Sequence, residues 1–466
     1  MAVLEFFGAA ETVTGSLHVL HLPSGPVALD CGLFQGRRSE SLDLNSRFPF
    51  RPEKLSALVL SHAHIDHCGR IPRLFRNKGF RGPIYGTHAT CDLAPVMLAD
   101  SAHIQEEDAR YWNEKRARNK REWIEPLYTA RDAAMAAQHL RGVEYNKPVE
   151  VADGLTATFL EAGHVLGSAC VLLEIHASPT IRLLYTGDLG RFNIPILRDP
   201  QSPLPDVDYL ITESTYANRR HADITSMQAE LASVVNQTRA ARGRVIIPAF
   251  SLGRTQEVVY VLSRAVAAGQ LEPLPIFVDS PLSSEVTEVF KKHPECYDQS
   301  AHDFWQQKGD VFGRGLVTYV TSVEQSMALN SRDDSCIIIA SGGMCEHGRI
   351  LHHLKHAVEN PRNTIVIVGY QAQHTLGRRI VERVDRLRIF GRDYALQARV
   401  KTLNGFSAHA DSEDLRRLLG PLAKGLKAAF VVHGEEAQLE ANHAMLRQAG
   451  CPDVRIPAPG DKVELS

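Results

Sequence analysis

Three imidazoles and a carboxylate fall within six consecutive positions, His62-Ala-His64-Ile-Asp66-His67, directly after the apolar stretch 57–60. In an extended chain, alternate side chains project to one side. His62, His64 and Asp66 can therefore converge, and a turn would bring His67 in beside them. Neutral imidazole and ionised carboxylate are suitable ligands for zinc-like divalent metals. A single tetrahedral ion rarely takes four ligands from so short a loop, so two ions sharing it is the easier arrangement. Further donors sit where an apolar, strand-like run hands over to a loop, the usual address of site residues. They are Asp30 after 27–29, His164 after 156–161, Asp188 after 183–185 and His433 after 428–432. Alone, a strand-end Asp before Gly is a turn residue, and a lone His is surface or satisfied core. Together these residues supply what a two-metal site lacks: a third ligand for each ion and a bridging carboxylate.

Positioning such donors calls for many strands, and short apolar runs bounded by Gly, Pro or Asp recur through the first two hundred residues. The stretch 90–140 is different: long, charged and without alternation, it reads as two or more helices. From about residue 226, helical stretches (227–239, 254–268, 348–359) alternate with buried-looking strands (245–247, 276–278, 336–340, 364–368). That alternation predicts a parallel sheet with helices on its faces. A last segment, 398–432, resumes a strand–helix–strand pattern.

Composition bounds the rest. The chain has 466 residues, 44% hydrophobic and 23% charged, enough for two or three globular domains. With 52 basic and 54 acidic residues the formal net charge is -2, so any anion-binding surface must be local. The basic run 115–121 reads as a solvated helix face. Eight cysteines without a C-x-x-C pair read as reduced, buried thiols, with Cys68 packing rather than ligating. No basic N-terminal leader and no apolar run of membrane-spanning length is evident, so the expected location is the cytoplasm.

The series His62-x-His64-x-Asp66-His67, His164 and Thr-Gly-Asp188 resembles the motifs of the metallo-β-lactamase superfamily. Thr-Glu213-Ser-Thr-Tyr, Ser-Ala-His409-Ala-Asp and Val-His433-Gly-Glu, in this order, resemble the signature motifs of the β-CASP nucleases. Supporting matches are Ser-Leu-Gly-Arg254-Thr-Gln, Asp-Ser280-Pro, Ala-Ser341-Gly-Gly-Met344 and Thr-Leu-Gly-Arg378. One departure is His374, where relatives often carry a small residue.

The resemblance implies an α/β fold: a metallo-β-lactamase αβ/βα four-layer sandwich with an inserted β-CASP domain, itself a mainly parallel sheet flanked by helices. The metallo-β-lactamase domain would comprise 1–208 and the return segment 398–466, the β-CASP domain 209–397, with the active site in the cleft between them. His62, His64 and His164 would hold one ion, Asp66, His67 and His433 the other, and Asp188 would bridge. Asp30 would orient a ligand imidazole from behind. Two divalent ions, zinc first among candidates, would make hydroxide available at neutral pH and stabilise phosphoryl charge.

Asp66, Glu213 and His409 are the catalytic candidates, the last two as a pair in which the carboxylate charges the imidazole that protonates the leaving alkoxide. Without the resemblance, Glu213 would read as a solvated strand-end acid and His409 as a helix-start residue beside the caps Ser407 and Asp411. Arg254, Ser280, Ser341 and Arg378 are the candidate phosphate contacts. DNA-directed members of the family lack the third-motif histidine. Retention of His433 thus points to single-stranded RNA, cleaved to 5′-phosphate and 3′-hydroxyl ends by a minimal two-domain nuclease. Expected partners are RNA and no membrane, with a homodimer left open. Rival readings are a hydrolase of small esters, thioesters or lactams, a DNA-directed β-CASP nuclease, and a non-catalytic RNA-binding subunit. The small-molecule rival leaves the Glu213, His409 and His433 motifs idle, and the non-catalytic one conflicts with a complete ligand series.

Overall fold

The computed structural model describes residues 2–36, 38–76, 79–117 and 123–466. The chain divides into two compact units. The first comprises Met1–Phe192, Asp199–Arg220 and His409–Ser466, and the second Asn193–Arg198 and His221–Ala408.

The first unit holds two seven-stranded sheets. One runs in the order Lys462–Leu465, Ala2–Gly8, Leu17–Leu22, Gly25–Leu29, Ala57–Val59, Ile84–Thr87 and Leu140–Val143. The other runs Val454–Arg455, Ala428–Val431, Tyr209–Thr212, Ile181–Tyr185, Ala169–Ile175, Leu155–Glu161 and Val149–Ala152. Alternation along the strands decides the layers. Phe159, Leu183 and Ile211 join Leu4, Phe6, Leu29 and Val59 in the core between the sheets. Their neighbours Leu160, Leu184 and Leu210 point the other way, onto Leu415 and Leu419 of helix Ser412–Leu419 and Leu439 and Leu446 of helix Glu436–Ala449. On the first sheet, helix His88–Ala117 lies against Ile84–Thr87 and Leu140–Val143. These are the four layers of the αβ/βα sandwich. The predicted helices of 90–140 are His88–Ala117, which carries Pro95 within it, and Ala130–Ala137. Of the basic run 115–121, Lys115 lies over the rings of Tyr111 and Trp112, while residues 118–121 are outside the described residues.

The second unit is built on a six-stranded sheet, ordered Val317–Val320, Ile276–Asp279, Ile337–Ser341, Val245–Ala249, Thr364–Ile367 and Arg399–Thr402. Every pairing in it is parallel. Val245–Ala249 and Thr364–Ile367 are buried at every position, the continuous apolar signature of strands covered on both faces. Helices such as Ile224–Ala240, Arg254–Ala267, Pro281–Lys292 and Ile350–Ala357 follow the strands. A two-stranded hairpin, Arg386–Ile389 with Arg392–Ala395, stands apart from the sheet.

The changes of unit, at 220/221 and 408/409, differ from the bounds 208/209 and 397/398 that the resemblance implies. Tyr209–Thr212 pairs in parallel with Ile181–Tyr185 and with Ala428–Val431, so it belongs to the first unit. Arg399–Thr402 pairs with Thr364–Ile367 and so belongs to the second. All eight cysteines are free thiols, and seven are buried. Among the described residues no helix is long and apolar enough to cross a membrane.

Candidate active site

All nine predicted metal and acid–base residues lie in the first unit. Strand Ala57–Val59 ends just before the histidine run, and the chain stays extended through His64 (φ -64°, ψ 147°) before turning into the short helix Ile65–Cys68. That turn corrects the simple alternation. His62 and His64 do converge, with His62 Nε2 3.1 Å from His64 Nδ1. Asp66 and His67, one helical step on, are aimed at a second group. Cys68 is turned away, its thiol donating to the Ala63 carbonyl.

Two donor groups result, with a third, Asp188, Glu213 and His433, overlapping them. In the first, the ligand atoms of His62, His64, His164 and Asp188 lie within 4.8 Å of one another, and in the second those of Asp66, His67 and His433 do. Asp188 faces both. Its Oδ2 is 3.5 Å from His62 Nε2 and 3.4 Å from His164 Nε2, while its Oδ1 is 3.2 Å from His67 Nε2 and 3.6 Å from His433 Nδ1. Left-handed backbone at Gly187 (φ 51°) and Gly163 (φ 66°) carries the chain round just before Asp188 and His164. A Cβ on Gly187 would meet Ser61 Cβ at 2.6 Å. His433 itself takes φ 50°, and its N–H donates to the carbonyl of Ala9.

The electrostatics separate the groups. Burial drives the His62, His64 and His164 imidazoles toward the neutral form, His64 to about 4. Burial also opposes charge on His67 and His433, but Asp188 outweighs it, helped by Asp30 at His67 and by Asp66 at His433, and both pKa values rise. Three neutral imidazoles with nitrogens 3.1–3.2 Å apart cannot all satisfy one another by hydrogen bonds. Among the described residues, Asp188 Oδ1 and His164 Nδ1 have no hydrogen-bond partner, although both residues are buried. Unpartnered polar atoms and facing lone pairs of N/O type are what divalent cations satisfy, so the donor set fits divalent metal.

Behind the ligands, Asp30 accepts four hydrogen bonds: from Ser61 N (2.7 Å), Ser61 Oγ (2.7 Å), His67 Nδ1 (2.6 Å) and Tyr185 Oη (2.6 Å). Asp30 thus orients His67, as expected, while Ser61 also reaches His62 Nδ1 at 3.0 Å. Nothing in the sequence singles out Ser61 or Tyr185, whose roles arise from a partner 31 and 155 residues away, respectively.

Beside the first group, His409 Nδ1 lies 3.1 Å from Glu213 Oε1 and 3.9 Å from Asp188 Oδ2. Glu213 is buried and fixed by the backbone N–H groups of Leu189 (2.7 Å) and Thr215 (3.0 Å). Burial works against a charged His409, but Glu213, Asp188 and Asp66 together overcome it and raise its pKa to about 9. The ring is about 22% exposed, so a substrate can reach it. Helix Ser412–Leu419 starts just beyond, capped by Asp411.

The candidate phosphate contacts lie in the second unit. Ser280 and Ser341 sit at the carboxyl ends of adjacent parallel strands, where open α/β sheets bind ligands. Ser280 is buried as the cap of Pro281–Lys292, with its Oγ 3.3 Å from Ser251 Oγ. Arg254, which opens Arg254–Ala267, is paired with Glu257, and Arg378 with Glu382. Neither arginine is therefore a free cation, a restraint the motifs did not reveal. His374 is exposed and takes φ 67°, a left-handed conformation that glycine adopts more readily than histidine.

Comparison with known proteins agrees with this architecture. The Beta-lactamase superfamily domain matches residues 29–247, the Beta-Casp domain 255–380, and the Zn-dependent metallo-hydrolase RNA specificity domain 393–457. Ribonuclease TTHA0252 of Thermus thermophilus is 36% identical over 95% of this chain and 96% of its own. An RNase J-like protein of Methanocaldococcus jannaschii is 28% identical over 94% of each chain. Transcription termination factor FttA of the same organism is 30% identical over 93% of this chain and 67% of its own. A crystal structure of an Enterococcus faecalis protein of unknown function matches with TM-score 0.58 over 99% of both chains; at 13% identity, that likeness concerns the fold alone.

Proposed function

The chain belongs to the β-CASP family of metallo-β-lactamase-fold RNA nucleases, and on that premise we propose that it hydrolyses phosphodiester bonds of single-stranded RNA with two divalent ions, zinc first among them. The products carry 5′-phosphate and 3′-hydroxyl ends, and the place of action is the cytoplasm. The observation that carries this reading is Asp188, which offers one oxygen to each of two complete donor groups.

His62, His64 and His164 would hold one ion and Asp66, His67 and His433 the other, with Asp188 within reach of both groups. When bound, the ions supply a nucleophile at neutral pH and offset charge on the phosphoryl oxygens. The chain's own residues do the rest. Asp30 holds the proton on His67 Nδ1 and so leaves Nε2 free to ligate. Glu213 keeps His409 protonated, and His409 gives that proton to the 3′ oxygen as its bond to phosphorus breaks. The relatives' names and the description of the 393–457 family, which contains His433, favour RNA over DNA. We assign the metallo-β-lactamase domain to the two outer segments of the chain and the β-CASP domain to the insertion between them.

The test is incubation of the purified protein with 5′-labelled single-stranded RNA, single-stranded DNA as control. Metal-dependent cleavage that disappears in His62→Ala and His433→Ala is expected. Absence of cleavage, or cleavage untouched by both substitutions, overturns the reading. Internal fragments in the same experiment mean endonuclease action, and released mononucleotide means 5′→3′ exonuclease action.

A further inference from the structure

Charge is unevenly distributed in this chain. Residues 378–401 carry eight basic residues against three acidic ones, a net of +5 where the whole chain is -2. Arg378 and Lys401 are neutralised locally by Glu382 and Glu230. The hairpin between them carries three arginines, Arg386, Arg388 and Arg392, against one acid, Asp393, which stands opposite Arg388. Leu387 and Ile389 face its buried side, which leaves Arg386 and Arg388 on the solvent side of the same strand. Arg392, opposite Ile389 on the partner strand, lies on the other face but is exposed at the tip beside Phe390. Among the described residues none of these three arginines makes an ion pair. At the base, Arg383 and Arg399 bond only to carbonyls, those of Val400 and Arg362. Both line a groove beside the edge strand Arg399–Thr402.

The hairpin tip is unusual as well. Ile389 pairs with Arg392, so the turn is the two residues Phe390 and Gly391, both left-handed (φ 50° and 77°). Such a turn favours Asn-Gly, and a phenylalanine there is strained. The strain gains no burial, since Phe390 is 54% exposed with one face toward the ring of His352. An exposed aromatic among unpaired arginines is the combination that binds single strands, guanidinium groups tracking phosphates while a base stacks on the ring. An acidic protein surface would use the charge but not the strained, exposed ring.

We propose that this arginine hairpin, with Phe390 at its tip, is a docking surface for single-stranded RNA, separate from the residues that cut it. The inference rests on the ribonuclease reading and adds to it a second site of RNA contact. It predicts a dependence on substrate length, because a tetranucleotide held by the cutting residues has no nucleotides left over for a second contact.

The experiment replaces Arg386, Arg388 and Arg392 together by Gln and measures binding of a long phosphorothioate RNA by fluorescence anisotropy across salt concentrations, alongside cleavage of long and tetranucleotide RNA. Affinity for the long RNA should fall about tenfold, and the log–log salt slope should flatten by about 2 for three lost phosphate contacts. Tetranucleotide cleavage, metal content and thermal midpoint should stay at the parent's values, and the matching triple Lys variant should restore the slope. Phe390→Ala should weaken long-RNA binding about tenfold with the salt slope unchanged. Equal affinity and slope in the parent and the triple Gln variant overturn the proposal, whatever the cleavage result. A parent that binds RNA through the hairpin but never cuts it overturns the catalytic reading instead.

Discussion

Asp188 and Asp279 are both buried aspartates that face histidine, one three residues beyond a strand and the other at a strand's last position, but they are satisfied to different degrees. Asp279, in the second unit, receives Arg349 Nη1 on Oδ1 (2.6 Å), and Ser326 Oγ (2.5 Å) and His353 Nε2 (2.6 Å) on Oδ2. His353 in turn reaches Asn330 at 3.0 Å, so the network closes on itself. Burial would raise the Asp279 pKa, but these hydrogen bonds, His353 first, lower it. Asp188 is instead surrounded by four imidazoles at 3.2–3.6 Å, and its Oδ1 lacks a hydrogen-bond partner. The residue types are alike; the completeness of hydrogen bonding is not. A closed network holds a fold together, whereas an open one marks where something else must bind.

The sharpest way to break that contrast is to neutralise each aspartate in turn. Asp188→Asn should lose both ions and about 10⁴-fold in RNA cleavage, since the metals supply several kcal/mol of transition-state stabilisation; metal analysis and single-turnover rates check it. Asp279→Ala should cost about 3–5 kcal/mol of stability, because Arg349 and His353 lose the carboxylate that pairs them. Denaturant unfolding reads this loss, and the metal content of the folded protein should be unchanged. If Asp279→Ala strips metal, or leaves stability intact, the two networks do not differ as described.

His409→Ala comes next, with a loss of about 10²–10³-fold in turnover while both ions are retained. Loss of metal in that variant would make His409 a ligand instead of an acid. Asp30→Asn should weaken metal binding about 10–100-fold, read by chelator competition. The smallest effect is on pH dependence. The His409 pKa of about 9 lies above its ordinary value, so the proton is present through the neutral range and is lost as pH rises through that value. The rate should therefore fall on the alkaline side, and the cations pull that limb below 9. Glu213→Gln should move the limb lower still, toward the ordinary histidine value near 6.5.

How much of this was legible in the sequence follows from the same contrast. Metal donors are rare residue types, and their clustering at 62–67 and at strand ends stands out without any structure. Closed networks do not. Asp279, Arg349 and His353 are scattered over seventy-five positions, and each looks ordinary alone. Ser61 and Tyr185 escaped notice for the same reason, as did the acidic partners of Arg254 and Arg378. The helix-flanked parallel sheet of the second unit was readable from buried-looking apolar runs alternating with helical stretches, whereas the four-layer sandwich followed from the motif resemblance alone. The changes of unit were not readable, because they depend on which strand Tyr209–Thr212 and Arg399–Thr402 pair with, and pairing is a long-range choice.

One feature of the first sheet also governs timing. Strand Ala2–Gly8 is bonded to Lys462–Leu465, and His433 hangs its N–H on Ala9. The opening segment of the chain must therefore wait for residues made more than four hundred peptide bonds later before its sheet and its second donor group are complete. While the chain is being made, the second donor group stays short of His433 until that distant segment has been synthesised.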